Sequence, residues 1–309
     1  MRSLGLRVPC AVVLAAFMST VVVATGCGSS DSGSSTTSSS TGTTAGGLTA
    51  TKDDAIAASV PEKYKSAGKL TVAADASYAP MEFIDESSKA ITGADVDLAS
   101  ALGAVMGLKA DVQNASFDAI IPGLASGKYD LGMSSFTDTK EREATVDFVT
   151  YFSAGTSFFG KSDAPTVSGL ADLCGLTVAV EKGTTQADDA AAQSKSCVTD
   201  GKKEVAVLVF PDQNGANSAL ISGRAQLSMA DSPVAAYQVT KSKGQLKLVG
   251  APYGTAPYGI AIPKQSGLAE PVLAAVKKLI EGGQYAAILK KWGLDSGAIT
   301  DPKVNGATS

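Results

Sequence analysis

Three acids in this chain each end an apolar run: Asp75 after Leu70-Thr71-Val72-Ala73-Ala74, Glu181 after Leu176-Thr177-Val178-Ala179-Val180, and Asp231 after Leu227-Ser228-Met229-Ala230. Ser134 and Ser135 close a fourth run. Two further stretches read as helix entries. Thr137-Asp138-Thr139-Lys140-Glu141-Arg142 is a capped start with an arginine one turn in, and Gly183-Thr184-Thr185-Gln186 is a glycine turn opening a helix. Free backbone N–H groups at such starts, together with a guanidinium fork, suit a carboxylate. Acids at strand ends can meet a cation, although each could instead cap a following helix or face solvent. Covalent chemistry is poorly served. The chain has no histidine, which removes Ser-His-Asp and Cys-His nucleophile activation and the usual mixed Cys/His zinc sites. Neither a G-x-x-x-x-G-K-[ST] loop nor a G-x-G-x-x-G turn after a strand is present. The expectation is charge recognition with no metal and no cofactor.

Those groups need a frame that ends its strands together. Residues 70–74 read as a buried strand, followed by a helix with Leu98, Leu102, Val105 and Met106 on one face and Gly107 as its stop. Strand 110–113, helix 117–126 and strand 130–134 complete a first series. A second series follows: strand 176–180, helix 186–194, strand 205–210, helix 214–222 and strand 227–230. Helices 268–281 and 284–292 close the pattern, with Gly282-Gly283 between them. Such alternation implies parallel sheets with helices on both faces. The second series also repeats the first. Residues 124–133 and 220–229 both fit L-x-S-G-[KR]-x-x-L-x-M, and residues 70–75 match 176–181 in the same order. Two lobes of like architecture are expected. Ligands of open parallel sheets bind outside the carboxyl ends of the strands, so facing lobes would converge these acids and serines on one cleft.

The chain has 309 residues, is 44% hydrophobic and carries a formal net charge of −4 with acids and bases mixed. That leaves no basic stripe for nucleic acid. Arg2 and Arg7 precede an apolar stretch over residues 11–24, broken by Ser19 and Thr20. The stretch falls short of the ~20 apolar residues of a membrane span, so residues 1–26 read as a signal peptide. Val23-Ala24-Thr25-Gly26-Cys27 resembles a bacterial lipobox, with Ala24 where Leu is commoner, and makes Cys27 the lipidation site; a plainly cleaved secreted protein is the alternative. Residues 27–64 then form the lipidated cysteine and a Ser/Thr/Gly tether whose stretch from Gly28 to about Ala50 is too polar to order itself, with the folded part expected to begin near residues 55–68. Cys10 leaves with the signal, so Cys174 and Cys197 remain as a pair, a disulfide in an oxidising compartment or else two buried thiols.

Residues 70–81, Gly93-Ala94-Asp95-Val96-Asp97-Leu98, Phe117-Asp118-Ala119-Ile120-Ile121-Pro122, 134–142, Val146-Asp147-Phe148, and Gly283-Gln284-Tyr285 through Lys291-Trp292-Gly293 resemble the extracellular solute-binding protein family 3. Its members include amino-acid-binding lipoproteins of ABC importers. The resemblance implies an α/β, two-lobed, type II periplasmic-binding-protein-like fold whose hinge has two crossovers, near residues 156–161 and 253–258. Lobe 1 would be residues 65–158 plus 257–309, and lobe 2 residues 159–256. It implies that Arg142 forks a ligand α-carboxylate, helped by the Thr137 and Thr185 backbone, and that Asp231 pairs with the α-ammonium with Ser135 beside it. Tyr78 and Phe117 would sandwich the side chain, or else pack as core aromatics. Asp75, Ser134, Thr184 and Gln186 occupy neighbouring pocket positions. Glu181 stands where relatives often carry an apolar residue or Lys. If it faces the pocket rather than solvent, two acids lack partners and a cationic side chain answers them. The implied function is capture of a polar, foremost basic, amino acid for an ABC transporter permease. The protein would act as a monomer, held by its lipid anchor at the extracytoplasmic membrane face, with no nucleic acid. The alternative is an enzyme on the same scaffold, such as a cyclohexadienyl-type dehydratase.

Overall fold

Apolar side chains to bury begin just past the Ser/Thr/Gly tract, and so does the fold. The structure is a computed structural model and describes residues 43–45 and 48–307; the signal peptide, Cys27 and much of the tether lie outside the described residues. β1 (Thr43–Ala45) and β2 (Leu48–Ala50) pair antiparallel. α1 (Asp54–Ser59) is capped by Asp53, whose carboxylate accepts the Ala55 and Ile56 N–H groups at 3.1 Å each. α2 (Glu62–Ala67) follows and stops on Gly68 in the left-handed conformation. A tether reaching residue 64 is therefore corrected. Ala50, Ala57, Val60 and Tyr64 are all buried, because the tract too polar to offset its ordering entropy ends near residue 50.

The first lobe then builds outward from β3 (Lys69–Ala74), buried apart from exposed Lys69 and half-buried Thr71. β4 (Ser77–Tyr78), β5 (Glu82–Ile84) and β6 (Ile91–Thr92) make a small antiparallel sheet. α3 (Ala94–Val105) buries Leu98, Leu102 and Val105, the face its spacing predicts. β7 (Lys109–Asn114), α4 (Phe117–Ala125), β8 (Leu131–Gly132) and the one-turn α5 (Lys140–Glu143) complete the series. β9 (Val146–Lys161) leads into the second lobe, where β10 (Thr177–Glu181), α6 (Thr185–Thr199), β11 (Ala206–Phe210), α7 (Gln213–Ile221), β12 (Leu227–Asp231) and α8 (Ser232–Lys241) alternate. β13 (Leu246–Pro263) returns, and α9 (Ala269–Glu281) and α10 (Gln284–Trp292) pack back on α3 in the first lobe.

Eight strands form one sheet in the order β11-β10-β12-β9-β13-β8-β3-β7. Within each lobe the pairing is parallel: β10 with β11 and β12, and β3 with β7 and β8. The two lobes are joined by β9 and β13, which pair antiparallel along most of their length. The parallel pairing expected from the alternation thus holds within each lobe, and the antiparallel pairs of this sheet are those that β9 and β13 make. β9 is 16 residues long and almost wholly buried. Its run FVTYFSAGTSFF has apolar groups on both faces and so lacks the alternation that marks a half-buried strand. These two strands are the two crossovers of a two-lobed type II fold.

Cys174 and Cys197 are disulfide-bonded with Cα atoms 5.6 Å apart. The bridge ties the start of the second lobe to α6 and sits in a core of Val178, Val180, Leu227 and Met229. Past α10 the chain lies back on β9: Val304 bridges Val149, and the Gly306 N–H donates to Asp138 Oδ2 at 2.7 Å. Among the described residues no helix is long and apolar enough to cross a membrane.

Candidate functional site

The strand ends of the two lobes face each other across a narrow cavity of about 10 Å³, room for about one water. The first lobe contributes Asp75 from the end of β3, Tyr78 from β4, Phe117 from the start of α4, Ser134, Ser135 and Thr137 from the turn after β8, and Arg142 from α5. The second contributes Glu181 from the end of β10, Thr184, Thr185 and Gln186 from the start of α6, and Asp231 from the end of β12. All twelve residues singled out from sequence thus line one space.

Local contacts decide what each side chain is free to do. Asp231 stands at the N-cap of α8 but its side chain makes no capping bond. Instead Gln186 Nε2 donates to Asp231 Oδ1 at 2.7 Å and to Thr156 Oγ1 at 2.8 Å. Asp75 Oδ2 accepts the Phe117 N–H at 2.9 Å, so this acid does serve a helix start while facing the cavity. Thr184 caps α6, accepting the Ala187 N–H at 3.2 Å and donating to the Glu181 carbonyl at 2.7 Å. Arg142 donates to the Thr137 carbonyl at 2.8 Å and, across the gap, to the Gly183 carbonyl at 3.0 Å. Its guanidinium lies over Phe117 and Phe136, 5.5 and 5.6 Å from the ring centres. Phe117 is stacked on Phe136 at 4.4 Å, so it is both cavity wall and core. Tyr78 lends its hydroxyl to the Asp231 N–H at 2.9 Å, a bond between lobes.

Charge in the cavity is unbalanced. Arg142 is the sole basic residue of the lining, against Asp75, Glu181 and Asp231. Burial raises all three carboxyls above the ordinary range. Glu181 is pushed up to about 9, by burial first and then by the charges of Asp75, Asp212 and Asp231. It is 2% exposed, so it faces the cavity and not solvent. Its Oε1 has no hydrogen-bond partner among the described residues. Asp231 is held lower by Gln186, the neighbouring tyrosines and the Arg142 charge. A buried carboxyl with an orphaned oxygen either keeps its proton or meets a cation.

Sequence reasoning missed several groups that join the lobes beside the cavity. The Gln213 N–H donates to Ser77 Oγ at 3.1 Å, and Lys182 pairs with Asp118 at 2.6 Å. Gln213 was within reach. The repeat that aligns Leu124 with Leu220 also aligns Phe117 with Gln213, which places both at the first turn of facing helices. The ion pair carried no comparable signal, since it depends on how close the lobes come.

The chain as a whole is similar to known proteins. The arginine-binding protein ArgT of Corynebacterium glutamicum is 37% identical over 251 residues, 81% of this chain and 82% of that protein. A solved structure of an ancestral arginine-binding protein bound to arginine is similar with a TM-score of 0.67 at 34% identity, covering 73% of this chain and 98% of that one. The ancestral amino acid-binding protein AncCDT-1, described as a precursor of cyclohexadienyl dehydratase, also gives a TM-score of 0.67, at 33% identity over 75% of this chain and 98% of that one. A family model described as bacterial extracellular solute-binding proteins, family 3, matches residues 70–295, and the chain belongs to that family.

Proposed function

We propose that this protein captures a basic amino acid, arginine foremost, between its lobes and delivers it to an ABC importer. The carrying observation is the buried excess of acid, with Glu181 Oε1 lacking a partner among the described residues. In this reading Arg142 and the start of α6 take the α-carboxylate, Asp231 with Ser135 takes the α-ammonium, and Tyr78 and Phe117 flank the side chain. Asp75 and Glu181 then receive its cationic end, which pairs charges that are otherwise costly to bury. The names of the arginine-binding relatives support the same ligand class.

Delivery implies opening and closing about β9 and β13. The register of that pair shifts between Val249 and Tyr253 and again between Tyr253 and Ala256, where a bend disturbs fewest ladder bonds. We place the lobe boundaries there, with residues 159–256 as the second lobe. Cys27, lipidated, would hold a monomer at the outer membrane face through the Ser/Thr/Gly tract. The test is a competition across the common amino acids read by thermal shift. Arginine and lysine should raise the melting temperature most; aspartate or glutamate outcompeting arginine would sink the proposal. Turnover of the bound compound would favour the dehydratase-type alternative.

A further inference from the structure

Behind the cavity wall of the first lobe lies a pair of acids almost wholly shielded from solvent. Glu82, at the start of β5, is fully buried, and Asp95, in the first turn of α3, is 1% exposed. They are brought together by Gly93, where φ is +137° and any Cβ would collide with the Met81 carbonyl, so that α3 can begin hard against β5. The two carboxyls meet at one serine turn: Asp95 Oδ2 accepts the Ser135 N–H and Glu82 Oε1 accepts the Ser134 hydroxyl. Neither has a basic partner among the described residues. Two ionised carboxylates cannot share such a site, so one proton must stay.

The surrounding donors decide which acid holds it. Asp95 receives the Tyr151 hydroxyl at 2.8 Å and the Ser135 N–H at 3.0 Å, and it sits at a helix N-terminus, all of which favour its anion. Glu82 Oε1 receives the Ser134 hydroxyl at 2.9 Å, and Ser134 Oγ in turn accepts the Asp75 N–H at 2.9 Å. Glu82 Oε2 lies 3.5 Å from Ser135 Oγ. The titratable groups facing the pair are Tyr151 from β9 and Asp75 from β3, with Tyr285 behind Tyr151. Burial and then the Asp95 charge push Glu82 well above the carboxylate range, consistent with Glu82 as the protonated partner.

We infer that Glu82 and Asp95, neither of which lines the cavity, are positioning residues that share one proton behind its wall and so fix Ser134, Ser135 and the Asp75 backbone for the ligand. Ser135 shows what must be held: at φ +52° it occupies the left-handed region that a serine rarely adopts. The inference rests on the amino-acid reading above for its ligand, but not for its proton.

Two measurements on the full chain test it. Glu82→Gln reproduces the protonated acid, with a carbonyl for Ser134 and an N–H for Asp95, whereas Glu82→Ala removes both. Calorimetry with L-arginine at pH 7 should find the Gln variant within about twofold of wild type and the Ala variant at least about tenfold weaker. In ligand-free protein, the infrared carbonyl band of a protonated carboxyl should be present at pH 7 and diminished in Glu82→Gln. An Ala variant that binds like wild type, a Gln variant as weak as Ala, or a band unchanged by Glu82→Gln would each overturn the inference. Failure of wild type to bind arginine at all would count against the proposed ligand, while the infrared comparison would still decide the shared proton.

Discussion

At about 9, the Glu181 carboxyl keeps its proton in neutral solution until a cation displaces it. The folded state therefore binds this proton more tightly than the unfolded chain does. Its contribution to stability is complete below the ordinary carboxylate range near ~4.5 and is lost as pH rises toward that folded value. Ligand-free protein should melt at falling temperature between pH 5 and pH 9, and less steeply in Glu181→Gln. A guanidinium arriving beside Glu181 should expel the proton. Arginine binding at pH 7 should then release about one proton, read from calorimetry in buffers of different ionisation enthalpy; uptake or no exchange would contradict the assignment. Arg142 and Asp231 belong to the same scale. Replacing either by Ala should weaken arginine binding by about 2–5 kcal/mol, because each loss strands a buried charge.

Among the elements, the disulfide can be separated from the cavity. It closes a span of 23 residues between the entry to the second lobe and α6, and the chain-entropy account assigns such a closure about 3 kcal/mol. The Cys174→Ser/Cys197→Ser protein should lose stability of that order in denaturant titration and keep arginine affinity within about twofold, since neither cysteine lines the cavity. Elements also mark what could be read from the chain. Helix periodicity located α3 and α10, and the internal repeat located both halves and the strand tips that carry Asp75, Glu181 and Asp231. β9 was hidden because a strand buried on both faces lacks alternation, and β13 because its exposed first part and buried last part follow no period of two. The Glu82–Asp95 pair was hidden for another reason: the two acids are 13 positions apart, and only tertiary packing shows that they meet.

For the molecule as a whole, the proposed function requires the two lobes to move about β9 and β13. Most of the bonds between them flank the cavity: Arg142 to Gly183, Tyr78 to Asp231 and Ser77 to Gln213. The Lys182–Asp118 pair is more exposed, with the lysine 62% accessible. Such pairs contribute about 0–1 kcal/mol, so Lys182→Ala should weaken arginine binding by no more than about fivefold in calorimetry. In the proposed mechanism closure by ligand instead relies on the charges inside, which would be hydrated when the lobes part and paired when they meet. The most direct test of this account is a crystal structure of the protein grown with L-arginine. It should show the ligand carboxylate on Arg142, its ammonium on Asp231 and its guanidinium between Asp75 and Glu181. Arginine seated elsewhere, or held with Arg142 and Asp231 too far apart to touch it together, would contradict the account.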